Sequence, residues 1–186
     1  MSSYSEKDRS AIHNSEASYY QERLQEVKDA QIERETLKKC VSAEEMPWEV
    51  CQQGILKHLV NDKMGTRVET VDICMQIVPP GSRSGKHRHM AEEYMFILEG
   101  SGYSLHWDVD VEVGDKYYWK AQEEPTRWEF EQGDSVYIPP NTIHQHFNSD
   151  ASNPLRFLSS ESRVMKDIGM DDLEQLEDAP EYSSKQ

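Results

Sequence analysis

Cysteine, basic residues and long apolar runs are all scarce in this chain, and each shortage excludes something. Among 186 residues there are three cysteines, Cys40, Cys51 and Cys74, with no Cys-x-x-Cys pair. An odd, scattered set reads as reduced and idle thiols of a cytoplasmic protein. Twenty Lys and Arg face 35 Asp and Glu, for a net charge of −15. A surface so acidic repels phosphate backbones and anionic lipid, which excludes nucleic acid and membrane as expected partners. No apolar run approaches the ~20 residues of a membrane span. Met1 to Ser10 is polar, so no signal peptide is expected there. No internal repeat is present, and the length fits one domain with tails.

In chain order, residues 1–15 are polar, Ser-rich and expected to fray. From Glu16 to Lys39 the spacing of Tyr20, Leu24 and Val27 among strong helix formers predicts a helix. Pro47 and Trp48 open the folded region. Gln52 to Val60 reads equally as a short helix or a strand. Thr66 to Val78 reads as a strand, with Val71, Ile73, Met75 and Ile77 on one face. Tyr94–Leu98 and Tyr103–Trp107 read as a hairpin about Gly100 and Gly102. Residues 108–115, DVDVEVGD, have the wrong glycine position for a calcium loop and read as an acidic loop or hairpin edge. Further short strands are expected at Tyr117–Trp119, Thr126–Phe130, Val136–Ile138, Ile143–Phe147 and Leu155–Leu158. Many short strands between Gly and Pro indicate an all-β sandwich or barrel over 46–160. An N-terminal helical extension, 1–45, would precede it. An acidic tail, 161–186, would follow, mostly disordered apart from a short helix near Asp171–Leu176.

The chemistry concentrates in two stretches, Gly81–Gly100 and Gly133–Asn148. His87 and His89 are two apart, so on a strand both rings face one side. Glu93 shares that parity and Glu92 does not. His144 can fold opposite them. Neutral imidazoles with a carboxylate suit one divalent ion among Fe(II), Mn, Ni, Cu and Zn. A six-coordinate metal with four protein donors keeps two positions for water, O2 or a chelating ligand. By the same parity Met95 and Ile97 would line an apolar pocket. His146 would point inward as a general acid/base, a hydrogen-bond partner or a polar filler. Arg83, in the preceding loop, could reach a substrate carboxylate. Trp107, Trp119 and Trp128 are left to the core or an interface.

With these spacings the chain resembles the cupin superfamily. The first cupin motif, G-x5-H-x-H-x3,4-E-x6-G, is met by Gly81, His87, His89, Glu93 and Gly100. The second, G-x5-P-x-G-x2-H-x3-N, is met by Gly133, Pro139, His144 and Asn148, with Asn141 where the family has Gly. Asn tolerates positive φ, so the turn can survive. The resemblance implies a double-stranded β-helix (jelly roll) with His87, His89, Glu93 and His144 as metal ligands, and commonly a homodimer. It leaves the reaction open, because one fold hosts many chemistries.

The stretch PPNTIHQHFN is similar to gentisate- and salicylate-type ring-cleaving cupins. Those usually carry two cupin domains and three His ligands without the Glu that this chain keeps. The expectation is therefore a mononuclear cupin with Fe(II) favoured, a dioxygenase acting on a small anionic acid, with hydroxylated aromatic acids among the candidates. The alternatives are a metal-dependent lyase, isomerase or decarboxylase, and a non-enzymatic cupin that binds a small ligand.

Overall fold

A computed structural model describes residues 5–183. The chain divides after Leu37 into two compact units. The first holds α1 (Glu6–His13) and α2 (Tyr19–Thr36). Ser5 and Asp8 cap α1 reciprocally, side chain to backbone in both directions. Helix α1 therefore corrects the expectation that residues 1–15 fray; residues 1–4 lie outside the described residues. Helix α2 occupies the stretch expected to be helical. Tyr20, Leu24 and Val27 on it are exposed.

The second unit is an antiparallel jelly roll. In chain order its strands are β1 (Trp48–Cys51), β2 (Gly54–Val60), β3 (Val71–Val78), β4 (Lys86–Arg88), β5 (Glu93–Glu99), β6 (Ser101–Trp107), β7 (Val109–Val113), β8 (Tyr117–Ala121), β9 (Thr126–Glu131), β10 (Ser135–Ile138), β11 (Ile143–Asn148) and β12 (Leu155–Ser162). Helix α3 (Val164–Asp167), strand β13 (Glu174–Glu177) and helix α4 (Pro180–Ser183) complete it. One sheet runs β1-β2-β3-β12-β5-β10, the other β13-β4-β11-β6-β9, and β7-β8 form a separate hairpin. The ambiguous stretch before Val60 is strand β2, held between β1 and β3. The acidic stretch at 108–115 forms one arm of the β7-β8 hairpin.

The core lies between the two large sheets: Val78, Met95, Ile97, Phe130, Val136, Ile138, Leu155 and Phe157. Strand β3 shows that apolar alternation does not always mark the inner face. Gln76 and Val78 are its buried residues, while Val71, Ile73, Met75 and Ile77 are only half-buried. The inner row therefore runs Asp72, Cys74, Gln76, Val78, polar toward the end where Glu93 sits. Burial pushes the Cys74 thiol up to about 12. All three cysteines are free thiols.

The tail corrects a second expectation. In place of a helix near Asp171–Leu176 in a disordered segment, residues 174–177 form β13, antiparallel to β4. Ala179 is fully buried, and its N–H donates to the Gln52 carbonyl at 2.8 Å. The tail is too acidic to bury much apolar area. Its carboxylates instead meet the basic residues that flank the ligands on β4. Arg88 reaches Glu174 at 2.6 Å and Asp172 at 3.2 Å, and Lys86 reaches Glu177 at 3.7 Å. No helix among the described residues is long and apolar enough to cross a membrane.

Candidate metal centre

The ligand strand β4 is fixed from both sides. His144 of β11 lies directly across from His87, and Gln175 of β13 pairs with His87 on the other edge. Gly85, just before β4, allows this packing. A Cβ there would stand 2.3 Å from the Gln52 carbonyl and 2.4 Å from Gln175 Nε2. The turn before His144 is shaped by Asn141, whose φ of 63° makes it the only non-glycine with positive φ among the described residues. Its N–H donates to the His89 carbonyl at 2.8 Å, and its side-chain oxygen accepts from Arg88. Asparagine thus does at this turn what glycine does elsewhere.

His87, His89, Glu93 and His144 are all buried, and one donor atom from each lies within 4.8 Å of the others. Metal bonds to nitrogen and oxygen of ~2.0–2.2 Å put donors on one ion at most ~4.4 Å apart, so the cluster is nearly at that spacing. Backbone carbonyls orient two of the rings. Nδ1 of His89 donates to Ala91 at 3.0 Å and Nδ1 of His144 donates to Thr142 at 2.9 Å, leaving each Nε2 turned toward Glu93. Glu93 Oε2 lies 3.1 Å from His89 Nε2 and 3.3 Å from His144 Nε2. Ser159 Oγ donates to Glu93 Oε1 at 2.6 Å. His87 Nδ1 is buried with no hydrogen-bond partner, and His144 Nε2 has only the 3.3 Å approach of Glu93, without hydrogen-bond geometry. Buried polar atoms are normally satisfied, so these orphans and the donor set fit a divalent ion. His87, His89, Glu93 and His144 would hold it.

Electrostatics follow from the same burial. Desolvation, with His144 beside it, holds the His87 imidazole well below 6.5, so it stays neutral. Burial also pulls His89 down, but Glu93 outweighs it and raises His89 to about 9. Burial raises the Glu93 carboxyl, and the imidazoles of His144 and His89 outweigh that and hold it well below 4.5. In the metal-free chain at neutral pH, His89 therefore carries a proton that a metal must displace. Metal affinity should rise about tenfold per pH unit below about 9 and level off above it. Calorimetry in buffers of different ionisation enthalpy should show about one proton released per ion; none released at pH 7 would contradict this ordering.

The structure separates the two neighbouring carboxylates. Glu93 is buried in the cluster, whereas Glu92 is exposed and accepts a hydrogen bond from the Tyr137 hydroxyl at 2.8 Å. Glu93→Gln should lower metal affinity at least ~100-fold, and Glu92→Gln should leave it unchanged. Equal losses in a metal titration of the two variants would show that burial does not select the ligand.

Of the remaining expected site residues, His146 points inward beside the cluster, its ring centroid 5.5 Å from that of His144. His146 is 1% exposed, bonded through Nδ1 to Ser104 Oγ, with its ring edge against Phe157. Burial, with His144 nearby, pushes it down to about 3, so it is neutral. Met95 and Ile97 are fully buried in the apolar core beneath the cluster. Arg83 is half-exposed and lies 4.0 Å from Glu177 of the tail.

One histidine was missed. His106, on the inner row of β6, is 2% exposed and stands directly across from His144, ring centroids 6.4 Å apart. Burial and His144 push it down to about 4. No motif position pointed to it, and alternation in β6 argues the other way, because Tyr103, Leu105 and Trp107 form the apolar row yet are the less buried one. Five of the seven histidines are thus buried in this barrel.

Two cavities are lined by neighbours of the cluster, though by none of its four residues. One, of about 450 Å3, lies on the inner face of β2, β3 and β12; its wall includes Ser159, bonded to Glu93, and Glu161, 3.8 Å from His89. The other, of about 360 Å3, includes His106 and lies between β9 and β10.

The family model described as Cupin domain matches residues 74–161. Auxin-binding protein 4 of Zea mays is 30% identical over 112 residues, 60% of this chain and 51% of that protein. Auxin-binding protein T85 of Nicotiana tabacum is 26% identical over 96 residues, 52% of this chain and 48% of that protein. The chain thus spans about half the length of these curated relatives. Among solved structures, the polyketide cyclase RemF from Streptomyces resistomycificus superposes with a TM-score of 0.53 at 16% identity, covering 81% of this chain and 94% of that one. Vicilin from Corylus avellana superposes with a TM-score of 0.51 at 19% identity, covering 67% and 33%. These likenesses do not single out the gentisate and salicylate type. The family match over residues 74–161, the jelly roll and the ligand spacing together show a cupin fold.

Proposed function

We propose that the chain is a mononuclear, divalent-metal-dependent cupin enzyme, an Fe(II) dioxygenase acting on a small hydroxylated aromatic molecule. The observation that carries the metal-dependent reading is the buried cluster of three imidazoles and one carboxylate, with orphaned ring nitrogens. Bound there, Fe(II) would supply O2 activation at positions the protein leaves open. The chain's own part is to hold and orient. Ala91 and Thr142 fix the tautomers of His89 and His144, Ser159 steadies Glu93, and the core beneath, with Met95 and Ile97, keeps water from that side. His146 stays neutral against Ser104 and shapes the interior.

An anionic substrate has less support. Arg83 faces Glu177. The larger cavity carries Glu49, Asp62, Asp72 and Glu161 against Lys63 and Lys166.

A second reading, non-oxidative lyase, isomerase or decarboxylase chemistry, is favoured by Glu161, a carboxylate on the cavity wall within 4 Å of His89 and positioned to move a proton. Metal analysis of protein purified without added metal, followed by O2-uptake screening against small phenols and phenolic acids, tests the first reading. Iron at one per chain with substrate-dependent O2 consumption supports it. Turnover under anaerobic conditions selects the second.

A further inference from the structure

The inner row of β9 runs Thr126, Trp128, Phe130, set by pairing with His106, Ser104 and Gly102 of β6. Phe130 is buried in the core, yet Trp128, on the same side of the strand, is 51% exposed. The reason is topological. Strands β9 and β10 are each one edge of the two sheets, and the 360 Å3 cavity opens at their seam. Its lining includes His106, Asp108, Trp128, Glu129, Val136 and Tyr137, and contains no lysine or arginine.

His106 joins this cavity to the metal centre, because its ring faces that of His144 across the β6-β11 pair. Its Nε2 is buried without a partner, an arrangement that costs stability unless another group supplies the bond. The charged groups of the larger cavity are mostly satisfied within the protein: Asp72 with Arg163, Asp62 with Lys166, Glu49 with His58. The smaller cavity is the one with an unfilled polar position. Its carboxylates also constrain the occupant. Asp108 accepts from Thr142 Oγ1 at 3.1 Å and Glu129 from Arg127 Nε at 2.7 Å. A ligand carboxylate would meet Asp108 with no lysine or arginine in the lining to offset it, while Glu129 is already paired with Arg127.

We propose that the seam between β9 and β10 docks the small-molecule ligand of the metal centre as an uncharged planar ring, stacked against Trp128 and hydrogen-bonded to His106. Trp128 and Tyr137 offer the apolar faces that a ring requires. A phenolic hydroxyl has both a donor and an acceptor, so it suits either tautomer of His106. The proposal rests on the metal-dependent reading above and names the substrate class of that site: a neutral phenol.

The test is calorimetric titration of the metal-loaded full chain with phenol, benzoate and benzyltrimethylammonium, with metal content measured separately. Phenol should bind saturably and at least about tenfold tighter than either charged probe. Trp128→Ala and His106→Ala should each weaken phenol about tenfold, and Trp128→Phe should restore most of the loss. Circular dichroism of each variant checks that the barrel has folded. Benzoate or the ammonium binding as tightly as phenol overturns the substrate class. Phenol binding that is indifferent to Trp128→Ala overturns the site. A chain replete with metal that ignores phenol rejects this proposal and leaves the metal reading intact. A chain that binds phenol at Trp128 yet holds no metal does the reverse.

Discussion

Truncation after Met170 is expected to lower the melting temperature by roughly 6–12 °C and to weaken metal binding about tenfold or more. Composition alone argues the opposite, since residues 171–186 are acidic and polar. The structure shows what would be lost. Strand β13 would leave the edge of β4, exposing ladder groups beside His87. Gln175 Nε2, which donates to the Glu177 carbonyl at 2.7 Å and reaches Gln52 and Lys86 at 3.4 Å, would go with it. So would Ala179, with no exposed surface. Arg88 would lose Asp172 and Glu174. The ion pairs are partly exposed and worth at most ~1 kcal/mol each. The backbone pairing and the packing around Gly85 bring the expected loss to roughly 3 kcal/mol, which for a chain of this length corresponds to that melting shift. Scanning calorimetry of the truncated and full chains, with a metal titration of both, checks it. An unchanged melting temperature would mean that β13 adds nothing to the barrel. Arg88→Ala isolates the charge component and should reproduce only a minor part of the stability loss.

His87→Ala and His144→Ala are each expected to abolish stoichiometric metal while leaving the β-fold in place. Each removes one of four donors and leaves a void beside rings that are already neutral or paired. The rings are close, with His87 and His144 centroids 4.2 Å apart. Losing one ring therefore leaves three donors with no substitute at that position. His106 does not compensate, because its ring lies 6.4 Å from that of His144. Metal content after dialysis, read alongside far-ultraviolet circular dichroism, decides the matter. Full occupancy in either variant would mean that the cluster is not the metal shell. Because a bound ion stabilises only the folded chain, wild type should also gain melting temperature with added metal, and neither variant should.

Much of the candidate site was legible because strand geometry is periodic. Two residues apart means one side, so His87, His89 and Glu93 could be grouped against Glu92 from the sequence. The glycines at either end of each motif marked where the strands must turn. Asn141 was legible for the same reason: its residue type tolerates the backbone conformation that the turn requires. The grouping of His87, His89 and Glu93 and the many-stranded β-fold thus follow from local rules, whereas the jelly roll and the addition of His144, some fifty residues on, came from the resemblance of the motif spacing to the cupins.

Other features were decided by contacts between distant segments, which local pattern does not encode. The apolar row of β3 faces outward and its polar row inward, because the barrel interior there borders Glu93 and a cavity. Met95 and Ile97 have the parity of a pocket wall, yet the opposing sheet closes over them and makes them core. The acidic tail looked unstructured because composition counts its charges but not their partners, and the partners are Arg83, Lys86 and Arg88, more than 80 residues away along the chain. His106 and Trp128 have no motif at all. They matter because β9 and β10, neighbours in sequence, end on different sheets and leave a seam between them. Which residues can ligate was determined by the sequence; which of them face a ligand was decided by where the sheets end.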